Sequence, residues 1–215
     1  MSATTRYAAM SRRAAMTAAA LAAMATLAGC TGNAGAPADG DMALGAAEGA
    51  KVTVIEYASV TCPHCAAWQQ ETWPGFKAKY VDTQKVRYVF RELRTPPANV
   101  AGAGFSVARC AGEDKYFDVV HELMANLAEL QGPDPRSTLY RIGNGAGLSN
   151  QQIEACIKDP ANLKAGDDRD RAAQRNGVTG TPTFLVNGVT VITPGSNSGA
   201  SLADLSTAID AALAK

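Results

Sequence analysis

Four residues, Cys62-Pro63-His64-Cys65, lie between a strand pattern and a helix pattern. The run from Val52 to Tyr57 is rich in β-branched and aromatic residues, which is typical of a buried strand. The run from Ala66 to Tyr80 has apolar residues at helical spacing. Cys62 is therefore predicted to be exposed at the first position of a helix, where free N–H groups and the helix dipole stabilise a thiolate. Because two cysteines three residues apart can also close on each other, the pattern predicts a dithiol redox centre.

Each residue of this motif has a predicted role. Cys62 is the expected nucleophile and Cys65 the shielded resolving thiol, while His64 is expected to stabilise the Cys62 thiolate and so make the disulfide more oxidising. The alternative for His64 is an exposed side chain without effect. A structural zinc site would need two further ligands nearby, and haem attachment would need histidine directly after the second cysteine, where Ala66 stands. The sequence therefore predicts neither a metal nor a cofactor.

Residues 1–29 have the composition of an export signal. Three arginines within residues 6–13 precede an uncharged, alanine-rich stretch that is short for a membrane span. The ending Leu27-Ala28-Gly29-Cys30 resembles the lipobox of bacterial lipoproteins, which implies that Cys30 is lipidated and anchors the mature chain to a membrane. The alternative is an ordinary signal peptide with an incidental cysteine, which would leave the protein soluble in the periplasm. Residues 30–50 are small, polar and glycine-rich, and they are predicted to form a flexible tether.

Charge and cysteine content restrict the function further. Residues 1–29 contain three arginines and no acidic residue, so removing them leaves 17 basic and 20 acidic side chains, a formal charge of −3. This balance does not favour nucleic-acid binding. Cys110 and Cys156 are the remaining cysteines, and in an exported protein they are expected to form a structural disulfide that stabilises the fold by roughly 4 kcal/mol. Two separate buried thiols are the alternative.

The order of the predicted elements indicates an interrupted α/β domain. Residues 51–97 contain a strand, the helix that begins at the cysteine motif, and a second strand. Residues 98–176 contain four or five short helices and no convincing strand. Residues 177–215 contain two strands joined by the hairpin turn Asn187-Gly188, followed by a last helix over about 201–213.

Three segments resemble the DsbA family of bacterial thiol oxidoreductases. They are Glu56 to Cys65, Phe90-Arg91-Glu92, and Val178 to Phe184, which contains Thr181-Pro182 before a strand. The resemblance covers about residues 42–215, and the helical region between the two halves matches as well. It implies a thioredoxin fold with an inserted all-helical subdomain.

The resemblance also implies roles for residues outside the cysteine motif. Pro182 would be a cis proline that faces the redox centre, and Thr181 would offer its backbone to an extended substrate peptide. Glu56 would be a buried acid that accepts the proton of the resolving thiol Cys65, against the alternative of a solvated residue at the edge of the sheet. Thr181 departs from the valine that often precedes this proline, and threonine is more typical of isomerases.

The function implied by the resemblance is disulfide donation to reduced exported proteins on the periplasmic side of a bacterial membrane. A DsbB-type membrane quinone reductase would reoxidise the cysteine pair. The alternatives are a disulfide isomerase or reductase that uses the same centre, and a tethered binding or chaperone module without catalysis. Isomerases of this kind usually carry an N-terminal dimerisation domain, and the predicted tether in its place favours the oxidase.

Overall fold

Five strands form one mixed sheet in the computed structural model, which describes residues 35–215. They are β1 (Met42–Gly45), β2 (Thr53–Ala58), β3 (Arg87–Glu92), β4 (Thr183–Val186) and β5 (Val189–Val191), in the order β1-β3-β2-β4-β5. β2 lies at the centre, parallel to β3 and antiparallel to β4. Its last five residues are buried, which explains the apolar run before the cysteine motif. The predicted signal peptide and Cys30 lie outside the described residues.

The predicted tether over residues 30–50 is wrong in its second half. Met42–Gly45 forms the edge strand β1, which pairs antiparallel with β3. The preceding segment is attached as well, because the Arg91 guanidinium forms an ion pair with Asp41 at 2.8 Å and donates to the carbonyl oxygen of Ala36. A four-residue strand without β-branched or aromatic side chains has too little pattern to be recognised from sequence.

The helix after the cysteine motif is interrupted. α1 (Pro63–Glu71) is followed by α2 (Trp73–Phe76) and by a π-helical segment, Lys77–Val81. Pro74 lies in the first turn of α2, and because proline has no N–H group it cannot continue the hydrogen bonding of α1.

Six helices lie between β3 and β4 in the described part of the chain, one or two more than predicted. They are α3 (Ala98–Cys110), α4 (Glu113–Ala125), α5 (Leu127–Leu130), α6 (Pro135–Gly145), α7 (Asn150–Lys158) and α8 (Pro160–Arg175). The single turn α5 is too short to show helical periodicity. A final helix, α9 (Leu202–Leu213), follows β5 and is capped by Ser201.

An aromatic cluster packs α1 and α2 against the sheet. The Trp68 ring lies 4.5 Å from the Phe184 ring, and the Trp73 ring lies 4.8 Å from the Tyr88 ring. Large aromatic side chains contribute much of the buried apolar area of a core. The helix that begins at the cysteine motif is therefore held against the sheet by closely packed aromatic side chains. None of the helices within residues 35–215 has the length and apolar character needed to cross a membrane.

Candidate redox site

Cys62 is the N-cap of α1, one position earlier than predicted. Its sulfur accepts a hydrogen bond from the backbone N–H of Cys65 at 3.3 Å. The expectation that Cys62 is exposed is wrong, because only 4% of its surface is accessible. Its sulfur also lies against Thr181, which is in the loop before β4 and which local sequence patterns could not place there.

Thr181 and Pro182 lie at the cysteine motif, as the resemblance implies. The Thr181–Pro182 peptide bond is cis. The Cys62 sulfur lies 3.5 Å from the carbonyl oxygen of Thr181, to which it donates a hydrogen bond when it is protonated. Thr181 and Pro182 are both half-buried and Gly180 is exposed, so this backbone segment borders the redox pair at the protein surface.

The two thiols of the motif have opposite acidities. A hydrogen bond from the Cys65 thiol, aided by the Thr181 side chain and by the N–H groups of Cys65 and His64, lowers the pKa of Cys62 to about 6, although burial opposes it. Burial is the main reason why the pKa of Cys65 is raised well above its ordinary value, and its interactions with Cys62 and Glu56 add to this effect. At neutral pH Cys62 is therefore a thiolate and Cys65 a thiol, which is the division of states expected of a nucleophile and a resolving cysteine.

Glu56 is buried beneath the cysteine pair. Only 1% of its surface is accessible, so the solvated alternative is wrong. Burial raises the pKa of Glu56 to about 8, the Tyr88 hydroxyl donates to its Oε2 atom, and the Cys62 charge raises the pKa further. Near neutral pH the carboxyl is protonated and can donate a proton.

The His64 side chain is exposed, and it makes no hydrogen bond or ion pair with any of residues 35–215. The contribution of His64 that the structure records is its backbone N–H, which is one of the groups that lower the pKa of Cys62. If the imidazole stabilises the Cys62 thiolate as predicted, it does so by long-range electrostatics and not by a hydrogen bond.

A network of hydroxyl and amide groups, which the sequence did not reveal, fixes the loop before Cys62. The Thr61 hydroxyl lies 2.9 Å from the carbonyl oxygen of Thr95, and the Ser59 hydroxyl accepts from the Thr95 N–H at 3.2 Å. Gln131, which follows α5, donates to the carbonyl oxygen of Thr61 at 2.7 Å. The position of Thr61 and Ser59 next to the cysteine motif is a sequence feature that could have indicated this network. Nothing in the sequence around Gln131 indicates its contact with the loop.

A second missed contact supports the Pro182 segment. Gly199 has a φ of +86°, and a Cβ atom there would lie 2.7 Å from Pro182 Cγ and 2.8 Å from Phe184 Cε2. The indole N–H of Trp68 donates to the carbonyl oxygen of Ala200 at 2.7 Å. The loop before α9 thus joins the helix of Cys65 to the segment of Pro182.

Cys110 and Cys156 are joined by a disulfide that links the end of α3 to α7, outside the redox pair. Cys62 and Cys65 are free thiols. Within residues 35–215, no three histidine, cysteine or acidic side chains are grouped so that they could hold a metal ion.

The fold and the site together define a protein with a thioredoxin fold and a Cys-x-x-Cys pair that faces a cis proline. A sequence model described as thioredoxin matches residues 38–211. The chain belongs to the thioredoxin family. The fold predicted from the sequence is confirmed.

Similar proteins agree with this assignment. A protein of Rickettsia conorii, provisionally named a protein-disulfide oxidoreductase, is 33% identical over 178 residues, which cover 81% of this chain and 61% of the relative. This chain thus spans about three-fifths of that relative's length. The crystal structure of alpha-DsbA1 from Wolbachia pipientis is 24% identical, with a TM-score of 0.72 and coverage of 83% of this chain and 93% of that chain. A thioredoxin-like oxidoreductase from Silicibacter pomeroyi is 25% identical, with a TM-score of 0.64 and coverage of 81% and 93%.

Proposed function

We propose that this chain is a thiol:disulfide oxidoreductase that introduces disulfides into exported proteins by exchange at Cys62 and Cys65. The observation that carries the proposal is the position of the Cys62 sulfur, at a helix N-terminus and 3.5 Å from the backbone of Thr181. The helix end favours the thiolate, and the adjacent backbone segment offers hydrogen-bonding groups to an extended peptide.

The reaction begins with the oxidised pair. A substrate thiolate attacks the Cys62 sulfur, the Cys62–Cys65 bond breaks, and Cys65 leaves as a thiolate that takes a proton from Glu56. A second substrate thiolate then attacks the substrate sulfur of the mixed disulfide and releases Cys62 as a thiolate. The substrate loses two electrons and the cysteine pair gains them. Because its pKa is about 6, Cys62 is a good leaving group in the second step.

The acidity of Cys62 favours an oxidase over a reductase. A group that stabilises the Cys62 thiolate stabilises the reduced pair, and this makes the disulfide a stronger oxidant. The relative from Rickettsia is named only as an oxidoreductase, so an isomerase that uses the same pair in the reduced state is the second candidate. Thr181 is the residue that favours it.

We also propose that Cys30 is the lipid-bearing residue and that a DsbB-type membrane quinone reductase reoxidises the pair on the periplasmic side. Metabolic labelling with palmitate tests the anchor, since Cys30→Ala is expected to abolish labelling and to release the protein from the membrane fraction.

The reduction potential of the Cys62–Cys65 pair tests the proposed function. We expect a value above roughly −200 mV in glutathione buffers, together with oxidation of a reduced peptide that contains two cysteines. A potential near −270 mV would indicate a reductase. A protein that exchanges no disulfide with the peptide, and whose Cys62 titrates near ~8.5, would instead be a binding module.

A further inference from the structure

Tyr88 reaches the buried acid from the neighbouring strand. In the parallel pairing of β2 and β3, Tyr88 is opposite Val54 and Glu56 is opposite Phe90, so Tyr88 and Glu56 lie on the same face, two residues apart in register. The long phenol side chain spans this diagonal, and its hydroxyl donates to Oε2 of Glu56. Tyr88 has no accessible surface.

The ring of Tyr88 is held by other aromatic rings. Its centroid lies 4.8 Å from that of Trp73, 5.8 Å from that of Phe76 and 6.1 Å from that of Phe117. A ring packed on several sides has few alternative rotamers. The hydroxyl is therefore fixed at the position from which it contacts Glu56.

Glu56 has no cationic partner among residues 35–215. The residues paired with it on both neighbouring strands are phenylalanines, Phe90 and Phe184. A buried carboxylate with no cation depends on hydrogen-bond donors for its stability. The Tyr88 hydroxyl is such a donor, and it contributes no charge.

The other titratable groups around this pair are few. Cys62 and Cys65 face Glu56 from α1, and Tyr116 faces Tyr88 from α4. His121 of α4 packs behind the Trp73 ring at 5.2 Å, and burial lowers its pKa to about 4, so it is neutral at physiological pH.

We propose that Tyr88 is a positioning residue of the redox centre, which holds the Glu56 carboxyl near Cys65 and stabilises the carboxylate left after proton transfer. The proton-transfer part rests on the function proposed above. When the Cys62–Cys65 bond breaks, the electron pair of that bond leaves with the Cys65 sulfur. The proton of Glu56 moves to this sulfur, and the negative charge remains on the carboxylate, where the Tyr88 hydroxyl donates to it.

Tyr88→Phe tests the role, and a second buried tyrosine provides a matched control. Tyr116 is likewise inaccessible, and its hydroxyl donates to the buried Glu92 at 2.9 Å, away from the cysteine pair. In the full chain, infrared difference spectroscopy against Glu56→Gln isolates the band of the protonated Glu56 carboxyl. Its titration is then followed in the wild type, in Tyr88→Phe and in Tyr116→Phe.

In the wild type we expect the band to disappear with a midpoint near 8. In Tyr88→Phe the midpoint should rise by about one pH unit, a roughly tenfold change in the acid constant, because the carboxylate loses its donor. The oxidised protein should also react with glutathione more slowly at pH 7, by up to about tenfold, since a weaker acid protonates the departing Cys65 thiolate less readily. In Tyr116→Phe the midpoint and the rate should stay at the wild-type values.

An unchanged midpoint in Tyr88→Phe, or an equal shift in Tyr116→Phe, would overturn the positioning role. The infrared titration does not depend on disulfide exchange. Suppose that Tyr88→Phe shifts the midpoint but the wild-type protein never reacts with glutathione or with a dithiol peptide. The proposed function would then be refuted, and the contact of Tyr88 with Glu56 would still stand.

Discussion

The sulfur of Cys62 lies 3.5 Å from the carbonyl oxygen of Thr181, although 119 residues separate them along the chain. The antiparallel register of β2 and β4 pairs Tyr57 with Thr183, which brings the end of β2 next to the start of β4. Both residues of the contact therefore depend on correct assembly of the sheet. The chemistry of the site therefore depends on tertiary contacts, and substitutions of the residues that make these contacts test it.

The two cysteines are expected to behave differently when each is removed. Cys62 is the helix-terminal thiol with the lowered pKa, whereas Cys65 is buried with a raised pKa. Cys65→Ser should therefore accumulate mixed disulfides with substrate proteins, because no Cys65 thiol can attack the Cys62 sulfur and release the substrate, and Cys62→Ser should accumulate none. Non-reducing electrophoresis of acid-trapped cell extracts measures both. Equal trapping by the two variants would contradict the assignment.

His64 is expected to have a small effect that acts through space. Because its imidazole is exposed and unbonded within the described residues, His64→Ala should raise the pKa of Cys62 only slightly. The potential should become less oxidising by at most about 30 mV, which corresponds to ~1.4 kcal/mol. The difference in potential between His64→Ala and the wild type should be smaller in 1 M salt, because the Debye length there is about 3 Å and a long-range electrostatic effect is screened. His64→Gln is the control for shape, and a potential equal to that of the wild type would remove His64 from the mechanism.

Glu56→Gln is expected to stabilise the protein in a pH-dependent way. The pKa of Glu56 is raised from 4.5 to about 8, so between these values the folded chain holds a proton that the unfolded chain has released. The free energy of unfolding therefore falls as the pH rises through this range, and glutamine removes the loss. The variant should match the wild type near pH 4 and exceed it by roughly 4 kcal/mol near pH 8.

Urea denaturation of the reduced protein across this pH range measures the effect, with Glu48→Gln as a control because Glu48 is exposed. A constant difference between Glu56→Gln and the wild type from pH 4 to pH 8 would show that Glu56 does not titrate as its burial requires.

Local patterns were sufficient for those parts of the molecule that local interactions determine. The strand β2, the cysteine motif and the start of α1 follow one another in the chain, and their order could be predicted from periodicity and capping. The hairpin turn is confirmed too, since Asn187 and Gly188 have φ values of +48° and +81°, which asparagine and glycine tolerate better than other residues.

Contacts across the chain could not be predicted in this way. Gln131 carries no motif, and its contact with the Thr61 carbonyl exists only because the helical insertion folds back onto the redox loop. The strand β1 is stable only as an addition to β3, and its own sequence has no strong strand pattern. Thr181 and Pro182 could be related to Cys62 only by resemblance to a family.

The disulfide between Cys110 and Cys156 is expected to stabilise the helical insertion. It closes a loop of 46 residues, for which the chain-entropy model gives about 4 kcal/mol. A variant with alanine at both positions should lose about this free energy of unfolding and still exchange disulfides at Cys62 and Cys65. Peptide mapping without reductant should find the two cysteines linked after a mild reductant has opened the Cys62–Cys65 pair. Two free thiols in the native protein would contradict this.

Two glycines in the loop before α9 are expected to differ, although their backbones are alike. Gly199 and Gly195 have φ values of +86° and +77°, so alanine at either position should cost about 1 kcal/mol of stability. A Cβ atom at Gly199 would also lie 2.7 Å from Pro182 Cγ, whereas nothing lies within 4 Å of one at Gly195. Gly199→Ala should therefore displace the segment that borders Cys62 and raise the KM for a reduced dithiol peptide several-fold, while Gly195→Ala should keep the wild-type KM. Steady-state kinetics and thermal denaturation of both variants separate the two effects, and equal KM values at equal stability loss would show that Gly199 does not set the position of Pro182.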